Sequence, residues 1–263
     1  MMANAELIHP TAIIHASAKL ADDVKVGAYS IIGPNVSIDS GTEIFTHVVI
    51  AENTRIGKNN QIYQFASVGE RCQDLKYKGE ATWLEIGDHN IIREHCTLHR
   101  GTAQDQSLTK IGSHNLLMVN THVAHDCEIG SHNVIANNVG IAGHVHVGDH
   151  VLLGGNSGIH QFCRIDSYSL VGGASLIIKD VPAYVMVSGN PASAHGMNYE
   201  GMRRKGWSKE TINGLKQCFK LLYRSNLTVK EAIETIEKEI IPNVPEAQLL
   251  VDSLQASKRG IVR

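Results

Sequence analysis

The sequence is poor in aromatic residues: Phe, Trp and Tyr make up 5 % of its 263 positions. A globular core normally draws much of its buried area from aromatic rings, so this one is expected to be filled by Ile, Leu and Val. Cysteines are few and unpaired. Cys72, Cys96, Cys127, Cys163 and Cys218 form no CxxC motif and leave an odd one over, which argues against a disulfide framework and a cysteine-type zinc site. Net charge is almost balanced at −2, so no overall field draws the chain to nucleic acid or an anionic membrane. No apolar run approaches the roughly 20 residues that span a bilayer. The opening "MMANAELIHP" has neither the basic flank nor the apolar core of a secretory leader. Together these absences lead us to expect a soluble cytoplasmic protein.

What the chain has instead is a six-residue period. Aliphatic residues recur every six positions from Ile8 through Ile14, Leu20, Val26 and onward to Val68, then at Ile86, Ile92 and Leu98, then from Ile111 to Ile177. Every position in these three runs is Ile, Leu or Val. Period six is neither the 3.6 of a helix nor the alternation of a hairpin; it is the signature of a parallel β-helix, three six-residue sides making one triangular coil of about 18. Positions 1 and 5 then point inward. Cys96, Cys127 and Cys163 fall at position 5 and read as buried fillers; Asn90, Asn115 and Asn133 fall there too and read as an internal ladder. Two stretches break the lattice, 69–85, read as replacing two hexads, and 101–110, which adds seven residues. Loops leaving a rigid solenoid commonly carry function.

The repeat ends near "VPAYVMVSGNP", and helical periodicity follows. Ser208 is placed to cap a helix with Ile212, Leu215, Phe219 and Leu222 on one face; "TVKE" from Thr228 is a capping box for a second helix; a third lies around Leu249, Leu250 and Leu254. The expected organisation is a β-helix over 1–190 and a small helical domain over 191–263.

Stacking the hexads 18 apart puts Ile62, Leu98, Val123, Ile141, Ile159 and Ile177 in one column. His99, His122, His125, His144 and His160 then face outward on one side, with Asp126 directly after His125. Coils rise about 4.8 Å each, so these histidines converge on one short groove. A second set, His89, His114, His132 and His150, repeats in near-identical contexts and reads as a solvated surface ladder. Spacing alone leaves "NTHVAHDC" open between a metal pair, a base with its carboxylate, and idle surface histidines.

The hexads from residue 8 to about 180, with "QFASVGE", "QDLKY", "LHRGT", "LLMVNTHVAHDC", "GNSGIHQFC", "GNP" and "EGMRRKG", resemble the bacterial acyl-carrier-protein–UDP-N-acetylglucosamine O-acyltransferases. The resemblance covers essentially the whole chain. It implies a mainly β fold, a left-handed parallel β-helix followed by a small C-terminal α-helical domain. It also implies transfer of an (R)-3-hydroxyacyl group from acyl carrier protein to the glucosamine 3-hydroxyl of UDP-N-acetylglucosamine, the first committed step of lipid A synthesis. By that pattern His125 is the general base, Asp126 its partner, and the Gly143 N–H the oxyanion donor. His122, His144, His160 and Gln161 contact the sugar nucleotide, with His99 supporting. Asp74 and Lys76, on the first loop, meet substrate at a neighbouring subunit, and Asn198, Glu200, Arg204 and Lys205 hold the UDP end. The family often has arginine where this chain has Lys205, which keeps the charge but loses bidentate phosphate geometry. Met118, Leu170 and Gly173 are candidates for the acyl-chain floor. No metal and no resident cofactor is implied, the acyl donor riding on the phosphopantetheine of the carrier; a homotrimer with sites between subunits is.

Two readings compete. A γ-type carbonic anhydrase shares the trimeric left-handed β-helix and binds zinc with three histidines, but its usual pair is HxxxxH, against HxxH here, and it lacks a helical tail. A non-catalytic hexapeptide scaffold would need no histidine–aspartate groove. The sister N-acyltransferase of the same pathway carries an extra N-terminal domain, whereas hexads here begin at residue 8.

Overall fold

The computed structural model describes residues 7–263; residues 1–6, where the expected β-helix span begins, lie outside the described residues. Each hexad contributes a short strand, and the strands pair in parallel with those one coil away. They form three sheets, one per side of a triangular prism. The first face runs from Ile13–Ile14 to Leu176–Ile177 in nine strands, and the second from Lys19–Leu20 to Arg164–Ile165 in eight. The third begins at Lys25–Val26 and ends in Val185–Gly189 with its antiparallel partner Ala192–Met197, ten strands in all. This closing hairpin was not legible in the hexad pattern, because its strands follow the "VPAYVM" breaker that reads as an end of the repeat.

Position 1 points inward on every face. Along the first, Ile50, Val68, Leu98, Val123, Ile141, Ile159 and Ile177 stack coil on coil and are at most 3 % exposed. Each such aliphatic side chain stabilises the fold by about 1.5–3 kcal/mol on burial. Position 5 is buried beside it. Burial pushes the Cys96 and Cys163 thiols up to about 11 and the Cys127 thiol to about 12, so they stay protonated fillers at neutral pH. The asparagine ladder is present and starts at Asn60. Its chief bonds run from side chain to backbone: the Oδ1 atoms of Asn60, Asn90, Asn115 and Asn133 accept the N–H groups of Asn90, Asn115, Asn133 and Val151 at 2.7–2.9 Å.

Position 4 turns the corner with a left-handed backbone. Asn35, Asn59, His89, Asn120, Asp126, His132, His144 and Asn156 all have φ between 54° and 61°. Asn, Asp and His tolerate that conformation better than other side chains with a Cβ. Much of the histidine richness is therefore a backbone requirement. The set His89, His114, His132 and His150 lies on the corner between the second and third faces, with successive rings stacked at 4.7–4.8 Å.

One register assignment is corrected. Ile62 belongs to the third face, between Ile44 and Ile92, not beneath Leu98. Val68 occupies that place, and the next face follows directly with Ile86, which pairs with Ile56 and Ile111. The 69–85 stretch is thus an excursion from a single corner and replaces no hexads.

After the hairpin come four helices: α1 (Tyr199–Arg204), α2 (Lys209–Tyr223), α3 (Val229–Glu239) and α4 (Ala247–Ala256). Ser208 caps α2 and the Thr228–Glu231 capping box opens α3, as the sequence signals require. The short α1, capped by Asn198, carries too few turns to leave a periodic signature. Helix α4 docks on the last coil through Ser253, whose hydroxyl donates to Asp166 at 2.7 Å and accepts the Ala183 N–H at 3.0 Å.

Candidate active site

Both projecting loops leave the prism at the corner between the first and second faces, the corner that carries His125, Asp126 and His144. A groove of ≈ 620 Å³ opens there. It gathers Asp74, His99, His122, His125, Gly143, His160 and Gln161 from positions spread along the chain, over a floor of Gly140, Gly158 and Leu176. Convergence follows from the coil rise: His122 lies opposite Thr97 and Gly140 in the parallel register.

The Asp126 side chain is fully buried, and His125 is 15 % exposed beside it. Asp126 Oδ2 accepts from His125 Nδ1 at 2.9 Å and from the Thr102 hydroxyl at 2.6 Å; Oδ1 accepts the Thr102 N–H at 2.8 Å. Burial by itself pushes the Asp126 carboxyl up, but the bonds from His125 and Thr102 outweigh it and hold it below the usual carboxylate range. An ionised Asp126 only accepts, so Nδ1 of His125 carries the proton and Nε2 is left as an acceptor. That is the arrangement a general base requires. A Cβ on Gly143 would sit 2.6 Å from His125 Cε1 and 2.7 Å from Nε2, so the imidazole occupies room that only glycine leaves. The Gly143 N–H has no acceptor among the described residues.

The remaining histidines differ in setting. His122 Nδ1 meets the Thr97 hydroxyl at 2.7 Å, and His99 lies edge-on to it with ring centroids 5.0 Å apart. Burial, with the neighbouring His122 adding to it, brings His99 down to about 4, and burial also lowers His122. His144 Nδ1 pairs with Asp105 at 2.7 Å, and its ring stacks on Phe162 at 4.4 Å and stands edge-on to His125 at 5.0 Å. His160 bonds the Gln161 carbonyl at 3.0 Å and is exposed, as is Gln161. Sequence reasoning missed Thr97, Thr102 and Asp105; the last two sit in the 101–110 loop, outside any repeat register.

Other expected residues lie elsewhere on the same chain. Lys76 is exposed on the first loop, its N–H bonded to Asp74. Asn198, Glu200, Arg204 and Lys205 border a second groove of ≈ 650 Å³ on the third face, with Leu170 and the His114–His132–His150 ladder. Glu200 is engaged there by Arg203 at 2.9 Å and Arg204 at 3.3 Å. Met118 and Gly173 occupy the corner between the third and first faces. A single chain therefore does not bring the Asn198, Glu200, Arg204 and Lys205 groove, or Met118 and Gly173, into the His125 groove.

His125, Asp126 and His144 offer ligand atoms within 4.8 Å of one another, the one such group among the described residues. Yet both Nδ1 atoms are held by carboxylates, and both Asp126 oxygens are bonded. Two imidazole nitrogens remain, one fewer than the three protein ligands usual for catalytic zinc.

The family described as UDP N-acetylglucosamine O-acyltransferase, domain 2, matches residues 180–262, and the bacterial transferase hexapeptide matches residues 108–143. An acyl-[acyl-carrier-protein]–UDP-N-acetylglucosamine O-acyltransferase of Psychrobacter sp. (strain PRwf-1) is 68 % identical over 97 % of this chain and 99 % of its own length. The chain belongs to this acyltransferase family. Among solved structures, the family's enzyme from Acinetobacter baumannii superposes with a TM-score of 0.97 at 70 % identity, covering 98 % of this chain and 100 % of that one. The enzyme from Francisella novicida gives 0.95 at 43 %, covering 97 % and 94 %. The fold is the family's left-handed parallel β-helix with a small helical domain.

Two outcomes follow from the geometry. Gly143→Ala keeps the N–H but drives its methyl into the imidazole; acyltransferase activity should fall by roughly 10²-fold, since misplacing a group by an ångström costs that much, with the unfolding midpoint little changed. Parental activity in this variant would contradict the packing argument. The second concerns His99. A histidine held neutral in the fold lets the unfolded chain bind more protons between about pH 4 and 6.5, so stability is lost as pH falls through that window. His99→Gln should flatten the urea midpoint between pH 6.5 and 4.5 relative to the parent, and an equal slope in both would refute the assignment.

Proposed function

We propose that this chain moves an (R)-3-hydroxyacyl group from the phosphopantetheine thioester of acyl carrier protein to the glucosamine 3-hydroxyl of UDP-N-acetylglucosamine, the first step of lipid A synthesis, with His125 as general base. Family membership makes the protein an acyltransferase. The observation that supports the residue roles is His125 lining a groove while a buried, ionised Asp126 fixes its Nδ1 and leaves Nε2 free to accept.

A sugar hydroxyl is a weak nucleophile at neutral pH. As it attacks the thioester carbon, its proton passes to His125 Nε2 and the imidazolium is stabilised by Asp126. The Gly143 N–H holds the oxygen that gains charge. Collapse of the tetrahedral intermediate breaks the C–S bond, and His125 returns the proton to the leaving sulfur. His122, His144, His160 and Gln161 hold the sugar nucleotide, and His99, neutral at working pH, supports His122. The carrier supplies its own thioester, so the chemistry calls on no metal and no resident cofactor.

Two faces of the prism support an assembly. The first exposes Ile13, Ile31, Val49 and Leu176, and the third Ile91 and Leu152, whereas the outward column of the second is polar, with Lys19, Arg55, Glu85, Lys110, Glu128 and Arg164. Leu75 stands wholly exposed on the first loop. Aliphatic side chains exposed on two faces and not on the second fit those two faces being contact surfaces. The first face of one copy meeting the third face of the next closes into a cyclic homotrimer. That arrangement sets the Asn198, Glu200, Arg204 and Lys205 groove, and the Met118, Leu170 and Gly173 floor, against the His125 groove of the neighbour. It also lets Lys76 reach across, whereas Asp74 lines the His125 groove of its own chain.

The test is incubation with UDP-N-acetylglucosamine and 3-hydroxyacyl carrier proteins of several chain lengths, followed by detection of acylated sugar nucleotide. Product should form with at least one carrier, and His125→Ala should lower kcat about 10²–10⁴-fold. No product with any carrier would refute the activity, and an undiminished His125→Ala rate would refute the base.

A further inference from the structure

The 101–110 loop interrupts the repeat between the coil of His99 and the coil of His125, and three of its side chains reach the catalytic corner. Thr102 gives Asp126 both its N–H and its hydroxyl, at 2.8 Å and 2.6 Å. The Thr109 hydroxyl accepts the backbone N–H of Asp126 at 2.8 Å. Asp105 accepts from His144 Nδ1 at 2.7 Å. The loop returns on itself so closely at Gly101 that a Cβ there would lie 2.2 Å from the Leu108 nitrogen and 2.8 Å from Asp126 Oδ1. A plain hexad corner supplies none of these groups.

We infer that this loop is a positioning clamp for the base, with Thr102 as the residue that fixes Asp126 and, through it, the Nδ1-protonated form of His125. The inference rests on the reading of His125 as the base. Asp126 is enclosed, so water cannot stand in for a lost donor. Its Oδ2 serves two donors at once, the Thr102 hydroxyl and the His125 Nδ1–H. Without the hydroxyl, the carboxylate loses the bond that aims Oδ2 and part of what keeps it ionised. The imidazole then loses its orientation although its own residue is untouched. Asp105 acts likewise on His144, but more weakly: its side chain is 39 % exposed, and His144 is also held by stacking on Phe162.

Thr102→Val keeps shape and backbone N–H and removes only the hydroxyl; Thr102→Ser keeps the hydroxyl and removes the methyl. Measured on the full chain, Thr102→Val should lower kcat roughly 10–100-fold with KM for UDP-N-acetylglucosamine unchanged. Thr102→Ser should recover most of the rate, and Asp105→Asn should lose less than Thr102→Val. Because the effect passes through His125, Thr102→Val should cost nothing further in a His125→Ala background. A parental kcat in Thr102→Val, a loss equal in Thr102→Ser, or full additivity with His125→Ala overturns the clamp. His125→Ala at the parental rate overturns the base itself, so the two failures are told apart.

Discussion

Everything in this molecule depends on the stacking of one aliphatic side chain on another, one coil apart, along three columns inside the prism. Ile, Leu and Val fill those columns without exception in the repeat, and they seal the backbone hydrogen bonds between coils that set the rise at about 4.8 Å. Once that spacing is fixed, outward positions distant in sequence become neighbours with no freedom to drift. The site needs such a frame. A base, its carboxylate and an oxyanion donor are useful only when held to within a fraction of an ångström, and successive coils hold the groups proposed for those roles: His125 and Asp126 on one, Gly143, beside His144, on the next.

The corners add a second constraint. From Tyr29 onward most corners ask a residue to adopt a left-handed backbone, and Asn, Asp and His accept it at least cost. Asp126 and His144 are such residues, so the fold places acid and imidazole at corners for conformational reasons, and chemistry draws on that supply. The ladder of His89, His114, His132 and His150 meets the same requirement on another corner, where its rings stack on one another with no buried carboxylate beside them. What separates the two sets is the loop that brings Thr102 and Asp105 to one corner only.

The architecture was legible because a hexad period is unambiguous, and the convergence of His99, His122, His125 and His160 on one groove followed from counting coils, whereas His144, edge-on to His125, lines a separate pocket with Asp105 and Phe162. The misplacement of Ile62 has a definite cause. The excursion after Glu70 is a multiple of six residues long, so the hexad phase passes through it unchanged. Phase repeats every six residues, but the face of the prism repeats only every third hexad, and periodicity cannot see a loop that preserves the first while altering the second. Thr102 and Asp105 were hidden for a related reason: the path of a loop that leaves the lattice is set by where it returns, as at Gly101, and not by any period. Asn198, Glu200, Arg204 and Lys205 are expected from resemblance alone, and their groove lies on a different face from the His125 groove.

That separation makes the proposed trimer the center of the functional account: catalytic groups on the first face of one copy, nucleotide-binding groups on the third face of the next. Co-expression of His125→Ala and Arg204→Ala subunits measures it directly. Each variant alone carries the same lesion at every site, whereas random closed rings of the two pair an intact first face with an intact third face at about a quarter of their interfaces. The account predicts that mixed assemblies recover activity toward that fraction of the parental rate. Mixed assemblies no more active than the sum of the separate variants would contradict it.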